Sequence, residues 1–196
     1  FIPCAQIEVA HFPKGLAAKV FDEQIFIGPL PQQLQGVLDF ITAKVVSERV
    51  EKQSRSPRSK RFSSYPLGAI REALVNAAYH KAYDIREPIE VRILPDRISI
   101  HSVPGPDRSM SMAELSQGRA HARRYRNRRI GEFLKELDLT EGRGTGIPRM
   151  LEELRLNGSP PPEFHTDNER SFFSVEIFIH PDFITPTGDV TPSTID

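Results

Sequence analysis

The 196-residue chain contains no tryptophan and a single cysteine, Cys4. One thiol cannot close an internal disulfide, so a cystine-stapled scaffold is excluded and a reducing, cytoplasmic setting fits. No apolar run approaches the roughly 20 residues that a membrane-spanning helix needs, and the chain shows no secretory signal pattern. Neither sign of charge is in excess, since 26 basic residues balance 26 acidic ones. A neutral chain casts no global field toward nucleic acid or an anionic membrane, and any such binding falls to a local patch. The histidines and the cysteine show no paired metal-ligand spacing. No GxxxxGK[ST] loop is present, which excludes a helicase motor from this stretch. Acid–base work by a histidine would lack an activated Ser or Cys nucleophile to serve.

What the chain does hold is enough apolar residues, 38%, for a real core in one domain or two small ones. Its most informative stretch is residues 66–83, PLGAIREALVNAAYHKAY. Pro66 suits a helix start, where its missing N–H has no partner to lose, and the Ala, Leu and Glu that follow are good helix formers. At 100° per residue, Ile70, Leu74 and Ala77 share one side, while Glu72, Asn76, Tyr79 and Tyr83 lie opposite, with His80 one step round. That polar stripe holds a carboxylate, an amide, an imidazole and two phenols, with no cation before Lys81. A solvated helix face mixes charges of both signs, so the stripe reads as the wall of a pocket.

Upstream, residues 1–50 read as a first unit, a small strand-strand-helix remnant packed near the main fold. CAQIEVAHF alternates like a half-buried strand, and EQIFIGPL reads as a second strand after the Lys14-Gly15 turn. Pro31 opens a helix with Leu34, Leu38, Ile41 and Val45 at helical spacing. Residues 47–64, SERVEKQSRSPRSKRFSS, turn to charge and serine, which predicts a solvated helix end and a linker over 51–65.

Downstream, PIEVRIL and RISIHS flank Pro95-Asp96-Arg97 as an antiparallel hairpin whose apolar members are Ile89, Val91, Ile93, Ile98 and Ile100. Gly105 follows in VPGP, where a plain turn ending a strand is one reading. Residues 119–129, RAHARRYRNRR, contain six arginines. They form either a solvated face or a phosphate-binding segment, since guanidinium forks suit phosphate. Ile130, Phe133, Leu134 and Leu137 mark an amphipathic helix docked on the core. Gly142, Gly144 and Gly146 precede another helix that runs through Met150, Leu151 and Leu154. Such a loop is a simple connector or an anion cradle, because glycines let backbone approach closely and a helix start presents N–H groups. SFFSVEIFI is a central or helix-covered strand with Phe173, Val175, Ile177 and Ile179 on one face. The Thr/Pro-rich tail over 182–196 reads as disordered. Because the chain starts without Met in mid-strand and ends without a packed element, it reads as an excised fragment.

REALVNAAYHKAY, with EGRGTGIPRM some 70 residues later, resembles the C-terminal nucleotide-binding-like domain of the RecG-related helicases and transcriptional regulators. That domain is a divergent relative of the GHKL ATPases, which include gyrase, histidine kinases and MutL. The resemblance covers about residues 60–181 and implies an α+β fold, a two-layer helix-on-sheet sandwich, over residues 66–181. It implies that Glu72 orients or activates water as the catalytic residue, that Asn76 holds Mg2+ against ATP, and that His80 lines the site. It further gives Arg126 and Asn127 as the Arg-Asn pair after a mobile lid, and Gly142, Gly144 and Gly146 as a second glycine box. Gly105 would be what remains of the first box, in which an Asp normally reads adenine. No Asp precedes it here, and Asp107 lies two residues beyond. Residues 1–50 resemble the end of a Schlafen-type AlbA domain, and the tail resembles the linker that leads to a winged helix.

The expected function is therefore a nucleotide-binding, or formerly nucleotide-binding, module of a DNA-associated transcriptional regulator. Specific DNA reading would fall to flanking domains, with only weak backbone contact through Arg119–Arg129. Two other classes stand beside it: an active Mg2+-dependent ATPase, and a structural or homodimerising domain whose Glu72–Asn76–His80 stripe is an internal hydrogen-bond network.

Overall fold

A computed structural model of the protein describes residues 5–52, 59–119, 126–137, 139 and 145–184. The centre of the fold is the expected hairpin, β5 (Ile89–Ile93) and β6 (Arg97–Ser102). Val91 stands opposite Ile100 and Ile93 opposite Ile98. Strict alternation sends these side chains, with Ile89, into the core, while Glu90, Arg92, Arg97, Ser99 and His101 face the other way. Strand β8 (Phe173–Phe178) pairs antiparallel with β6, setting Val175 against Ile100 and Ile177 against Ile98. Short β7 (Glu163–His165) closes that side. One face of the sheet is thus apolar and the other polar, the pattern of a sheet covered on one side only.

Helix α2 (Leu67–His80) lies on the apolar face over β6, between α1 (Leu30–Val45) and α5 (Gly146–Asn157). Ile70, Leu74 and Ala77 point into the core, as their spacing predicts. The helix stops at His80 instead of running to Tyr83. Lys81 turns inward, fully buried, and its ammonium donates to the carbonyls of Ala82 and Ile85, both at 3.3 Å, and of Glu87. Three donors meet three acceptors, which is what makes a buried cation tolerable. The 81–87 turn wraps around this nitrogen, and Tyr83 reaches back to donate to Ala78 O at 2.8 Å.

Three expectations about organisation are corrected. First, residues 5–50 are not a remnant packed nearby but part of the main sheet and core. Strand β1 (Ile7–His11) runs parallel to β5, with Ile7 beside Ile89 and Val9 beside Val91, and β2 (Asp22–Phe26) pairs with its far side. The result is a single six-stranded sheet in the order β2-β1-β5-β6-β8-β7. Ile7 and Val9 on β1 and Leu34, Val37 and Ile41 on α1 bury their side chains in the same core as α2. Second, the serine-rich stretch is not a plain linker. β3 (Glu48–Lys52) and β4 (Ser59–Ser63) form an antiparallel ladder. It is held through Phe62, which stacks on His180 and meets Phe183 edge-on. Asn157, at the end of α5, accepts from Ser63 N and donates to Ser63 O, each at 2.8 Å, as a neighbouring strand would. Third, Pro181–Phe183 is an ordered helical turn rather than the start of a loose tail. Residues 185–196 lie outside the described residues.

Helix α4 (Arg128–Glu136) also differs from expectation in how it docks. Gly131 and Leu134 are buried, whereas Phe133 and Leu137 remain 49% and 44% exposed. The helix approaches Tyr79 of α2 through Gly131, where a methyl group would stand 2.6 Å from the tyrosine oxygen. A small five-residue helix, α3 (Met112–Ser116), is capped by Ser111, which accepts from Glu114 N. Among the described residues no helix is long and apolar enough to cross a membrane.

Candidate functional site

The polar stripe of α2 faces the start of α5 at one end and the start of α4 at the other. Glu72 is only 9% exposed. A buried carboxylate needs donors, and Asn76, one turn on, supplies one: its Nδ2 donates to Glu72 Oε1 at 3.0 Å. A carboxylate only accepts, so this bond fixes the amide orientation and leaves Asn76 Oδ1 as the acceptor.

Gly146 is the first residue of α5, and it is pressed against this pair. A side chain there would overlap Glu72 Oε1 and stand 2.8 Å from Glu72 Cδ and 3.0 Å from Asn76 Nδ2. Only glycine lets the helix start come this close. Thr145 gives α5 no side-chain cap, and the first turn contains no acidic residue. Glu72 therefore places its carboxylate at the positive end of that helix. Gly142 and Gly144 lie outside the described residues, as do residues 120–125 of the arginine run.

At the other end of the stripe, about 12 Å from Glu72 at 1.5 Å per residue, His80 rests against the Tyr79 ring with centroids 4.9 Å apart. Burial lowers its pKa, and the Arg126 guanidinium pushes the same way. Both effects keep the imidazole neutral near pH 7. Asn127 belongs to the fold here. Its Nδ2 donates to the carbonyls of Tyr79 at 2.9 Å and Lys81 at 2.6 Å, so it caps the C-terminal end of α2 from outside the helix. Asn127 thus reaches α2 and is committed to backbone, and Arg126 lies close enough to bear on His80.

Gly105 is elsewhere. Its N–H donates to Arg170 O at 2.8 Å, and a methyl group would stand 2.6 Å from Phe172 O. The residue serves the close approach of two backbones, beside Arg170 at φ 59°. Asp107 is also used locally, accepting from Ser109 N at 2.9 Å and from its hydroxyl at 2.5 Å. The structure brings Glu72, Asn76 and Gly146 together, with His80, Arg126 and Asn127 further along the same helix. Tyr79 and Gly131 meet at that far end and Lys81 lies buried just after it, and little in the sequence marks Lys81 or Gly131. A lysine at a helix end normally reads as solvated, and a lone helical glycine as a weak spot.

Residues 87–177 match the sequence model of the family described as "Putative ATP-dependent DNA helicase recG C-terminal". The match runs from β5 to β8. It includes Asn127 and Gly146 and begins after α2, so Glu72 and Asn76 lie outside it. It relates this part of the chain to an ATPase-type domain of RecG-related proteins. No curated protein matches the chain. Among solved structures, the DIP2311 protein from Corynebacterium diphtheriae is similar, with a TM-score of 0.74 and 20% identity over 90% of this chain. This chain spans 35% of that one, and the likeness is one of fold.

Proposed function

We propose that the chain carries a nucleotide-binding, or formerly nucleotide-binding, module of GHKL type that serves a DNA-associated transcriptional regulator. One observation carries the reading. Two sequence motifs, Glu72-x-x-x-Asn76 and the glycine segment that ends at Gly146, meet so closely that no side chain fits between them. Nothing in ordinary helix packing requires a carboxylate, an amide and a glycine at the same contact.

The donor set suits ATP with Mg2+. Asn76 Oδ1 is a hard oxygen ligand of the kind Mg2+ prefers. The start of α5 would offer N–H groups and Arg126 a guanidinium to phosphate oxygens, and Gly142 and Gly144 are assigned to the same role from the sequence alone. Bound Mg2+ would neutralise phosphate charge. Glu72 would orient water, its carboxylate held in one rotamer by Asn76. Neutral His80 would line the wall without adding charge.

Adding ATP and Mg2+ is expected to raise the melting temperature, by mass action on the folded state; ligand at 100 times its Kd stabilises by about 2.7 kcal/mol. Asn76→Ala should remove that rise, while Glu72→Ala should keep binding and lose turnover. An unchanged melting curve at millimolar ATP would favour the second reading, a structural or dimerising domain. That reading draws on the commitment of Asn127 and Gly105 to the protein's own carbonyls. For DNA, weak salt-sensitive contact through Arg119–Arg129 is the expectation, because each neutralised phosphate adds roughly 0.9 to the salt slope. A sequence-selective complex that survives physiological salt would overturn it.

A further inference from the structure

The polar face of the sheet, across from the helices, carries a second constellation at its β7 edge. Glu163 stands directly opposite Glu176 on β8, and His165 stands opposite Ser174. Residues two apart on a strand share a face, so both carboxylates and the imidazole project to the same side. One ligand atom from each of the three lies within 4.8 Å of the other two. His165 Nε2 is 3.5 Å from Glu163 Oε2.

Two features of this cluster point to a cation. Like charges directly opposite on neighbouring strands destabilise a sheet, and Glu163 against Glu176 is such a pair. The nearby guanidinium compensates only in part. Arg97 reaches Glu176 Oε2 at 2.8 Å, but it also holds Asp96 at 2.8 Å, which leaves three carboxylates to one cation. The spacing is the second feature. Zinc binds imidazole nitrogen and carboxylate oxygen at about 2.0–2.2 Å, so two ligands on a tetrahedral ion stand roughly 3.4 Å apart. His165 and Glu163 already have that separation.

We propose that Glu163, His165 and Glu176 form a binding site for a divalent transition-metal ion of the zinc class. One nitrogen and two oxygens suit zinc and its neighbours, whereas Mg2+ favours octahedral oxygen sites. The strand register sets the ligand positions, so the backbone need not move. With side chains 59% and 48% exposed at Glu163 and His165, the fourth position opens to water. The site lies on the opposite face of the sheet from α2 and does not depend on the nucleotide reading.

The test uses the full chain after chelator treatment. Zn2+ titration by calorimetry, paired with thermal melting, is expected to show one ion per chain and a raised melting temperature. Co2+ should give visible ligand-field bands. His165→Ala and Glu163→Gln should each weaken binding by at least about tenfold, since even outer-sphere partners are worth that much. Both side chains are exposed, so the metal-free melting temperature should hold for His165→Ala. It should hold or rise slightly for Glu163→Gln as the repulsion with Glu176 is relieved, and this separates lost binding from lost folding. Absence of any Zn2+ response, or equal binding by both variants, would overturn the proposal. An equal response to Mg2+ would overturn the assignment of ion class.

Discussion

Gly105 and Gly146 look alike in sequence, each in a glycine-bearing turn, and each is pressed so close that a side chain cannot fit. They differ in what stands opposite. Gly105 meets the carbonyl oxygens of Phe172 and Arg170, parts of a backbone that cannot yield. Gly146 meets the ends of Glu72 and Asn76, side chains with chemistry of their own. A tight glycine therefore marks a close approach, and only its partner tells whether the approach serves the fold or a site.

The sharpest way to break this contrast is substitution at both positions. Gly105→Ala should cause the larger loss of stability, about 3 kcal/mol, because overpacking against fixed backbone cannot relax. Denaturant unfolding measures it, and a loss under about 1 kcal/mol would mean that the 166–172 loop yields. Gly146→Ala should cost less, about 1–2 kcal/mol, since the Glu72 carboxylate can swing aside. Its effect should shrink in a Glu72→Ala background, with a coupling of roughly 1 kcal/mol in a double-mutant cycle. Additive losses would show that the α5 start does not press on Glu72.

Two smaller effects sharpen the far end of the stripe. Asn127→Ala removes the donor to two carbonyls at the end of α2 and should cost about 1–2 kcal/mol. Amide exchange near Lys81 should rise with it. A neutral outcome would return Asn127 to the pool of residues available to ligand. The smallest effect concerns pH. The pKa of His80 is lowered from 6.5, chiefly by burial and secondarily by Arg126. Below 6.5 the unfolded chain then binds more protons than the folded one. The stability tied to neutral His80 is fully present above pH 6.5 and declines as pH falls from there through the folded pKa. His11 and His101 shift in the same direction, again mainly through burial. His80→Gln should therefore flatten part of the acid-side decline in melting temperature and leave a residual slope; an unchanged slope would remove His80 from the explanation.

Much of this architecture was legible because local patterns and the final packing agree. Alternation in β5, β6 and β8 marks the strands and their buried faces, and the Ile70, Leu74 and Ala77 spacing marks the core side of α2. Long-range partners leave no such trace. Parallel pairing of β1 with β5 joins residues 82 positions apart, and nothing in either strand names the other. The β3–β4 ladder hid behind serine and charge, since its anchors are one phenylalanine and an asparagine 94 residues away. The end of α2 depended on Lys81, a residue type that normally seeks water. The Glu163–His165–Glu176 cluster escaped the search for metal-ligand spacing because two of its ligands meet the third through strand register. The Glu72–Asn76 pair was visible as a helical spacing, whereas the contact with Gly146 arises only when α5 lands beside α2.

The strand order also sets a timetable for the chain during synthesis. Its central pair, β5 and β6, comes from the middle of the sequence, with β1 added on one side and β8 on the other. Ile7 and Val9 leave the ribosome 82 residues ahead of Ile89 and Val91, the neighbours they will lie beside. At 5–20 residues per second that gap lasts on the order of 4–16 s. Through that interval the described partners of β1 are β2 and α1, without the central strands of the sheet. Strand β1 must therefore wait for the parallel neighbour that completes its ladder, which comes from further along the chain.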